Sequence, residues 1–308
     1  MSTKNATTLT VGRTRVALTH PDKVLFPKSG ITKGELIAYY GRIAPTMLPW
    51  LRNRPLTLLR YPDGIDKPSF FQKSASDYYP DWIARATVEK ESGSMQMPLA
   101  THAADLVYFA NLAGIVMHPW LSRIDKPHHP DMLILDLDPP DAGGFEVARR
   151  TALVTRKIAE SVGLTPYLKT TGSRGLHVVI PITRAADFEA VSTFAGSLAR
   201  QIARELPSDV TTEFYKEKRK GRLFLDTRRN AYQQTAVAPY SVRALEGAPV
   251  ATPIFWEELK EKKLRSDRYT IRTVFAKLER DGDPWSDFRR HAKGIGTASK
   301  QLARTRES

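Results

Sequence analysis

The stretch Leu133-Ile134-Leu135-Asp136-Leu137-Asp138-Pro139-Pro140 constrains this chain more than any other. An apolar run of this length reads as a buried strand. In a strand, residues two apart share a face and lie roughly 6–7 Å from each other. Asp136 and Asp138 therefore leave the strand's end on the same side, where two like charges are costly unless a cation lies between them. Leu223-Phe224-Leu225-Asp226 repeats the design with a single acid. Three carboxylates at neighbouring strand ends make a hard-oxygen site suited to magnesium or manganese. Such a site can clamp triphosphate oxygens while activating a hydroxyl. An Asp-x-Asp pair beside proline also suits an ordinary turn, and the second acid-tipped strand moves the reading to a metal site.

The elements around these strands are mixed. Thr32-Lys33-Gly34-Glu35 is a capping box opening a helix with Leu36, Ile37, Tyr40 and Ile43 at helical spacing. Further helices are expected over Phe145–Val162, stopped by Gly163, over Asp187–Leu206, and near Trp256–Lys263 and Ile271–Glu279. Strands are expected at Leu56–Tyr61, Leu106–Ala110, Met132–Asp136, Thr165–Lys169, Leu176–Ile182, Val210–Phe214 and Arg222–Asp226. Without strict alternation of strand and helix, the class is α+β rather than a doubly wound parallel sheet. Residues 1–12 read as a loose arm, 13–288 as one catalytic domain, and 289–308 as a basic tail with little apolar content to order it.

The chain carries 47 Lys and Arg against 33 Asp and Glu, a formal charge of +14. That excess favours a polyanionic partner, nucleic acid first. With no cysteine there is no disulfide, thiolate metal site or cysteine nucleophile. Neither a secretory signal nor a membrane span is expected, so the expected location is cytoplasmic, at the nucleoid.

The other candidates each admit a functional and a structural reading. Lys169-Thr170-Thr171-Gly172-Ser173-Arg174-Gly175-Leu176-His177 links two strands. Its glycines admit a ligand to the backbone, Thr171 and Ser173 offer hydroxyls and Arg174 fixed charge; a tight hairpin with a packed histidine is the alternative. Arg228 and Arg229 stand beside Asp226, where a triphosphate needs counter-charge, and Arg243 offers another guanidinium. Lys216–Gly221 suits a solvated turn or a track for a phosphate backbone. Lys33 lies in the first turn of a capped helix, a position that favours an anion; spacing alone favours a solvent-exposed lysine. Phe70 and Phe71 suit core aromatics or a stacking platform for a base. His118 is equally ambiguous.

Together these segments resemble the polymerase domain of bacterial ligase D, within the archaeo-eukaryotic primase superfamily. The similarity runs from about Leu18 to Trp256. It is carried by Leu18–Pro27, Phe70-Phe71-Gln72-Lys73, Leu135–Pro139, Lys169–His177, Arg222–Asn230 and Gln234–Arg243. The resemblance implies a fold of central, mostly antiparallel sheets forming an active-site cleft flanked by helices. It implies that Asp136, Asp138 and Asp226 are catalytic and bind two divalent ions, Mn2+ or Mg2+. His118, Thr171, His177, Arg229 and Arg243, with Ser173, Arg174 and Gly175 of the loop, are then the nucleotide-binding set. Lys23 and Lys33 grip a DNA 5′-phosphate, and Phe70 and Phe71 stack on the template. Thr171 and Arg174 depart from the serine and lysine common in the family, while keeping hydroxyl and charge.

The expected function is template-directed addition of NTP or dNTP, with ribonucleotides preferred, at gaps or 5′-phosphorylated ends. Ku and a DNA ligase are the expected partners in end joining. The rivals are another Asp-x-Asp metal enzyme, a nuclease or glycosyltransferase, and a non-catalytic DNA-end binder.

Overall fold

A computed structural model describes residues 7–89 and 93–304. The chain forms two compact units, one of Met1–Trp120, Val237–Val250 and Tyr269–Phe275, the other of Leu121–Ala236, Ala251–Arg268 and Ala276–Ser308.

The first unit opens with an antiparallel hairpin of β1 (Thr8–Val11) and β2 (Thr14–Ala17), turned at Gly12 with φ +60°. The loose arm expected over residues 1–12 is thus ordered from Thr8. An alternating Thr-Leu-Thr-Val run before a glycine that can take positive φ is a hairpin signal. Residues 1–6 of that expected arm lie outside the described residues. The short pair β3 (Val24–Phe26) and β4 (Ile31–Thr32) leads into α1 (Lys33–Leu51). The capping box is made as expected: Thr32 Oγ1 accepts from the Glu35 amide at 3.2 Å, and Glu35 Oε2 accepts from the Thr32 amide at 3.0 Å.

β5 (Leu56–Arg60) pairs with β6 (Phe70–Gln72), and β7 (Arg85–Glu89) with β8 (Ser94–Pro98). The strand expected at Leu106–Ala110 is instead helix α2 (Ala103–Asn111). An apolar run with β-branched and aromatic residues does not separate a buried strand from a buried helix. The local signal that decides is Asp105, whose Oδ2 accepts from the amides of Thr101 and His102 at 2.6 and 2.9 Å and closes the helix start. Every residue from Ala104 to Asn111 is buried, with α2 packed on α1. β9 (Gly114–Pro119) then completes the antiparallel sheet β6-β5-β9.

The second unit holds the main sheet. Its elements are β10 (Met132–Asp138), α3 (Phe145–Ser161), β11 (Tyr167–Thr170), β12 (Leu176–Pro181), α4 (Phe188–Glu205), β13 (Val210–Thr211), β14 (Leu223–Asp226) and β15 (Pro253–Ile254). The six strands run in the order β13-β14-β10-β12-β11-β15, antiparallel throughout except for the parallel pair β13 and β14. The α+β class with a central, mostly antiparallel sheet is what the sequence led us to expect. Leu133, Leu135 and Leu137 are fully buried on one face of β10, and α3 and α4 pack against this strand. Asp136 and Asp138 therefore take the opposite face.

Several boundaries moved. β13 stops at Thr211, leaving Phe214 exposed; Trp256–Lys260 is a 3-10 turn; and the last long helices are α5 (Val274–Asp281) and α6 (Ile295–Arg304). The tail expected to be unstructured from Arg289 contains α6, because Ile295, Ala298 and Leu302 fall at helical spacing and are buried. Residues 305–308 of that tail lie outside the described residues. Among the described residues no helix is long and apolar enough to cross a membrane.

Candidate active site

The registers of the main sheet place its ionisable residues in one transverse row. Asp136 on β10 lies opposite Asp226 on β14 and opposite His177 on β12, and His177 lies opposite Lys169 on β11. Directly opposed residues of an antiparallel pair project from the same face. Asp138, two residues beyond Asp136, shares that face. The three acids named from the sequence are thus brought together by strand pairing, not by a loop.

The position of Asp226 is fixed by its own turn. After β14 the chain bends through Arg228–Asn230, and Asn230 folds back fully buried against β10. Asn230 Oδ1 accepts from the Ile134 amide at 2.8 Å, while Nδ2 donates to the Ile134 and Thr227 carbonyls at 2.7 Å each. The amide side chain replaces the strand neighbour that Ile134 would otherwise lack. Asp226 Oδ1 accepts from the Arg228 amide at 2.8 Å.

Cationic and imidazole groups surround the carboxylates. Arg229 Nε lies 3.6 Å from Asp136 and 4.0 Å from Asp226, Arg174 Nη2 lies 3.4 Å from Asp138, and His177 Nε2 lies 3.4 Å from Asp136. Burial raises the Asp136 carboxyl, but His177, Arg229 and Lys169 more than offset it and hold it at about 2. Burial, then Lys169, pushes His177 down to about 4 against the pull of Asp136. At neutral pH the pair is therefore carboxylate and neutral imidazole. Asp138 is shifted upward, by burial first and then by the Asp136 charge. Among the described residues no group of three or more His, Asp or Glu side chains is already set as an ion's ligand shell. The carboxylates are turned toward arginine and histidine instead. The donor set is of the kind that suits a hard divalent ion: three carboxylates share one face, and the Asp136 charge adds to burial in raising Asp138.

The loop from Thr170 to Gly175 lies against the end of β10. A Cβ on Gly175 would sit 1.9 Å from the Leu137 carbonyl oxygen, so only glycine allows this approach. Gly172 turns the loop at φ +67°. Thr171 is buried, and its hydroxyl accepts from the amides of Ser173 and Gly175 at 3.3 and 3.2 Å and lies 3.1 Å from the Gly175 carbonyl. It shapes the loop from within. Arg174 is the loop residue that points at the acids.

The remaining candidates belong to the first unit. His118 is on β9, and Arg243 follows a segment bound to that strand, with Met117 donating to Ser241 Oγ at 2.9 Å and accepting from the Ala238 amide at 3.0 Å. Phe70 and Phe71 are 47% and 61% exposed, which removes the core reading. Arg60 covers Phe70 at 5.2 Å, and Phe71 meets the His118 ring edge-on at 6.1 Å. Lys33 is not the exposed lysine that spacing favoured. It is 5% exposed, donating to Thr19 Oγ1 at 3.0 Å and the Asn111 carbonyl at 3.1 Å. Burial, with Lys23 adding to it, lowers Lys33 to about 8. Lys23 itself pairs with Asp63 at 2.6 Å.

Three residues of the second-unit site escaped the sequence reading. Lys169 could have been found from the register of β11 with His177, since both strands were expected. Asn230 stood inside a quoted motif without a role. Ser266, which bonds the Thr170–Gly175 loop, gave no sequence signal.

Comparison with known proteins fits this arrangement. The family described as LigD, primase-polymerase domain, matches residues 32–285, and the chain belongs to that family. Among its relatives is the multifunctional non-homologous end joining DNA repair protein LigD of Mycobacterium tuberculosis, 33% identical over 277 residues, 87% of this chain and 36% of that protein. The bifunctional non-homologous end joining protein LigD of Bacillus subtilis is 31% identical over 278 residues, 90% of this chain and 44% of that protein. The chain spans less than half the length of these relatives. The polymerase domain from Mycobacterium tuberculosis ligase D, solved in complex with DNA, superposes with a TM-score of 0.84 at 32% identity, covering 90% of this chain and 99% of that one.

Proposed function

We propose that this chain is a primase-type nucleotidyltransferase that extends DNA ends during non-homologous end joining. The observation that carries the reading is the in-register row of His177, Asp136 and Asp226, with Asp138 on the same face. Family membership supports the reaction class, since relatives of this family are end-joining proteins and the neighbouring structure holds DNA. The net charge of +14 agrees with a polyanionic substrate.

In the reaction the primer 3′-oxygen bonds to the α-phosphorus of the incoming nucleotide, the bond from that phosphorus to the bridging oxygen breaks, and pyrophosphate leaves. Asp136, Asp138 and Asp226 would hold the divalent ions, Mg2+ or Mn2+, which neutralise phosphate charge and sharpen the attacking hydroxyl when bound. Arg229 and Arg174, which lie beside these carboxylates, would supply guanidinium charge to the triphosphate. His177, neutral at pH 7, holds Asp136 in place and offers a hydrogen bond rather than a charge. The family resemblance also assigns His118 and Arg243 to nucleotide binding, Lys23 and Lys33 to the 5′-phosphate, and Phe70 and Phe71 to stacking on template bases. A preference for ribonucleotides, action at short gaps, and work beside Ku and a DNA ligase follow from the family resemblance.

The test is primer extension on a gapped, 5′-phosphorylated duplex with manganese and either NTP or dNTP. Extension by the intact protein and its loss in Asp136→Ala, with DNA binding retained, is the expected result. Degradation of the duplex without added nucleotide would instead identify a nuclease, and DNA binding without synthesis an end-binding protein.

A further inference from the structure

Resting on that reading, we infer that Ser266 is a positioning residue that sets the geometry of the nucleotide loop through the Thr171 hydroxyl. Ser266 is 2% exposed, and its Oγ donates to the Gly175 carbonyl at 2.7 Å and lies 3.1 Å from Thr171 Oγ1. A hydroxyl has one proton and two lone pairs. Ser266 gives its proton to Gly175, the shorter contact, and the single Thr171 proton is then shared between Ser266 Oγ and the Gly175 carbonyl, each 3.1 Å away. The lone pairs of Thr171 in turn receive the Ser173 and Gly175 amides. One hydroxyl pair thus fixes both ends of the loop that carries Arg174 toward Asp138.

Ser266 is itself held from a distance along the chain. Buried Arg149 on α3 donates to three carbonyls of the segment that leads to Ser266, those of Leu259, Glu261 and Leu264, the last two at 2.7 Å. The cation has little exposure and is solvated by those carbonyls, so the segment cannot shift without stranding a buried charge. The order of dependence runs from Arg149 to the Leu259–Leu264 carbonyls, then Ser266, then Thr171 and Gly175, then Arg174. Position, not chemistry, is what Ser266 supplies: it touches no acid of the row.

The experiment compares wild type with Ser266→Ala, Thr171→Val and the double variant. Three quantities are read: affinity for GTP with manganese by calorimetry, affinity for a gapped duplex by fluorescence anisotropy, and thermal unfolding. A lost neutral hydrogen bond predicts a roughly 5-fold weaker GTP affinity in Ser266→Ala. Duplex affinity should be unchanged and Tm should fall by no more than about 3 °C. The double variant should be no worse than Thr171→Val alone, because the two hydroxyls act as one unit. In steady state the loss should appear in nucleotide KM rather than in kcat.

The inference is overturned if GTP affinity stays within twofold of wild type, or if GTP affinity, duplex affinity and Tm fall together, which marks a purely structural serine. It is also overturned if wild type binds no GTP. GTP binding that weakens as stated, in a wild-type protein that extends no primer, would sink the proposed function and leave the role of Ser266 standing.

Discussion

Asp136 and Asp226 face each other directly across the β10–β14 ladder, and Arg229 reaches both carboxylates, at 3.6 and 4.0 Å. Arg229 thus stands where a divalent ion would neutralise the same pair. Magnesium or manganese should therefore raise Tm in wild type by about 2–4 °C at saturating concentration, through preferential binding to the folded state. Asp226→Asn should abolish that rise and lower primer extension by about 100-fold or more, measured by thermal unfolding and single-turnover extension.

The acids of the row should not respond alike to neutralisation. Asp136 is held at about 2, below its unfolded value, so its ionised form favours the fold. That contribution is present above the unfolded pKa, about 4, and is lost as pH falls through the folded value near 2. Asp138 is raised, so its ionised form opposes the fold. Asp138→Asn should leave Tm unchanged or up by about 1–2 °C, whereas Asp136→Asn should lower it; both should lose activity. Calorimetric scans at pH 7 decide, and a lower Tm for Asp138→Asn would contradict the account in which burial and then the Asp136 charge disfavour its ionised form.

Gly175→Ala should be the most damaging single-methyl change near the site. The added carbon meets the Leu137 carbonyl at 1.9 Å and must push the loop off β10. A loss of about 2 kcal/mol or more in stability is expected, with nucleotide binding lost. Gly172→Ala, placed at φ +67°, should cost about 1 kcal/mol. Denaturant unfolding of the two variants checks the order.

On the proposed reading, in which Lys33 takes the 5′-phosphate, its burial gives that recognition a pH dependence. Its folded value of about 8 lies below the unfolded 10.5. Between them the unfolded chain binds more protons, so this group's contribution to stability rises with pH from about 8 to 10.5. A phosphate dianion draws the proton back. Affinity for a phosphorylated gap should fall as pH rises above about 8, with proton uptake on binding, while an unphosphorylated gap shows neither. Lys33→Ala should remove the difference between the two duplexes. Asp63→Asn, which frees Lys23, should tighten the phosphorylated gap by about twofold to fivefold. Anisotropy titrations from pH 7 to 9.5 measure all three.

Phe70 and Phe71 should be dispensable for folding. Both are exposed, so alanine at either should shift stability by no more than about 0.5 kcal/mol. On a gapped template each should weaken binding by about 1–3 kcal/mol if its ring carries a base. Unchanged DNA affinity in the double alanine variant would remove the stacking role.

How much of this was legible in the sequence depends on the range of the interaction. Asp136, Asp138 and Asp226 could be read because each ends an apolar run, and strand periodicity then fixes the face. The capping box of Thr32 and Glu35 is equally local. The helix α2 was misread because burial on all sides erases the periodicity that separates helix from strand, and Asp105 was the overlooked clue. The burial of Lys33 could not be read, since its acceptors come from Thr19 and, 78 residues away, Asn111. Ser266 lies 91 and 95 residues from its two partners, beyond any local pattern.

The most direct measurement is anomalous diffraction from crystals soaked with manganese and a nucleoside triphosphate. The account predicts two manganese peaks among the carboxylates of Asp136, Asp138 and Asp226, with Arg229 turned from the acids to the triphosphate. Manganese bound elsewhere on the chain, or a triphosphate ordered without any metal contact to Asp226, would contradict it.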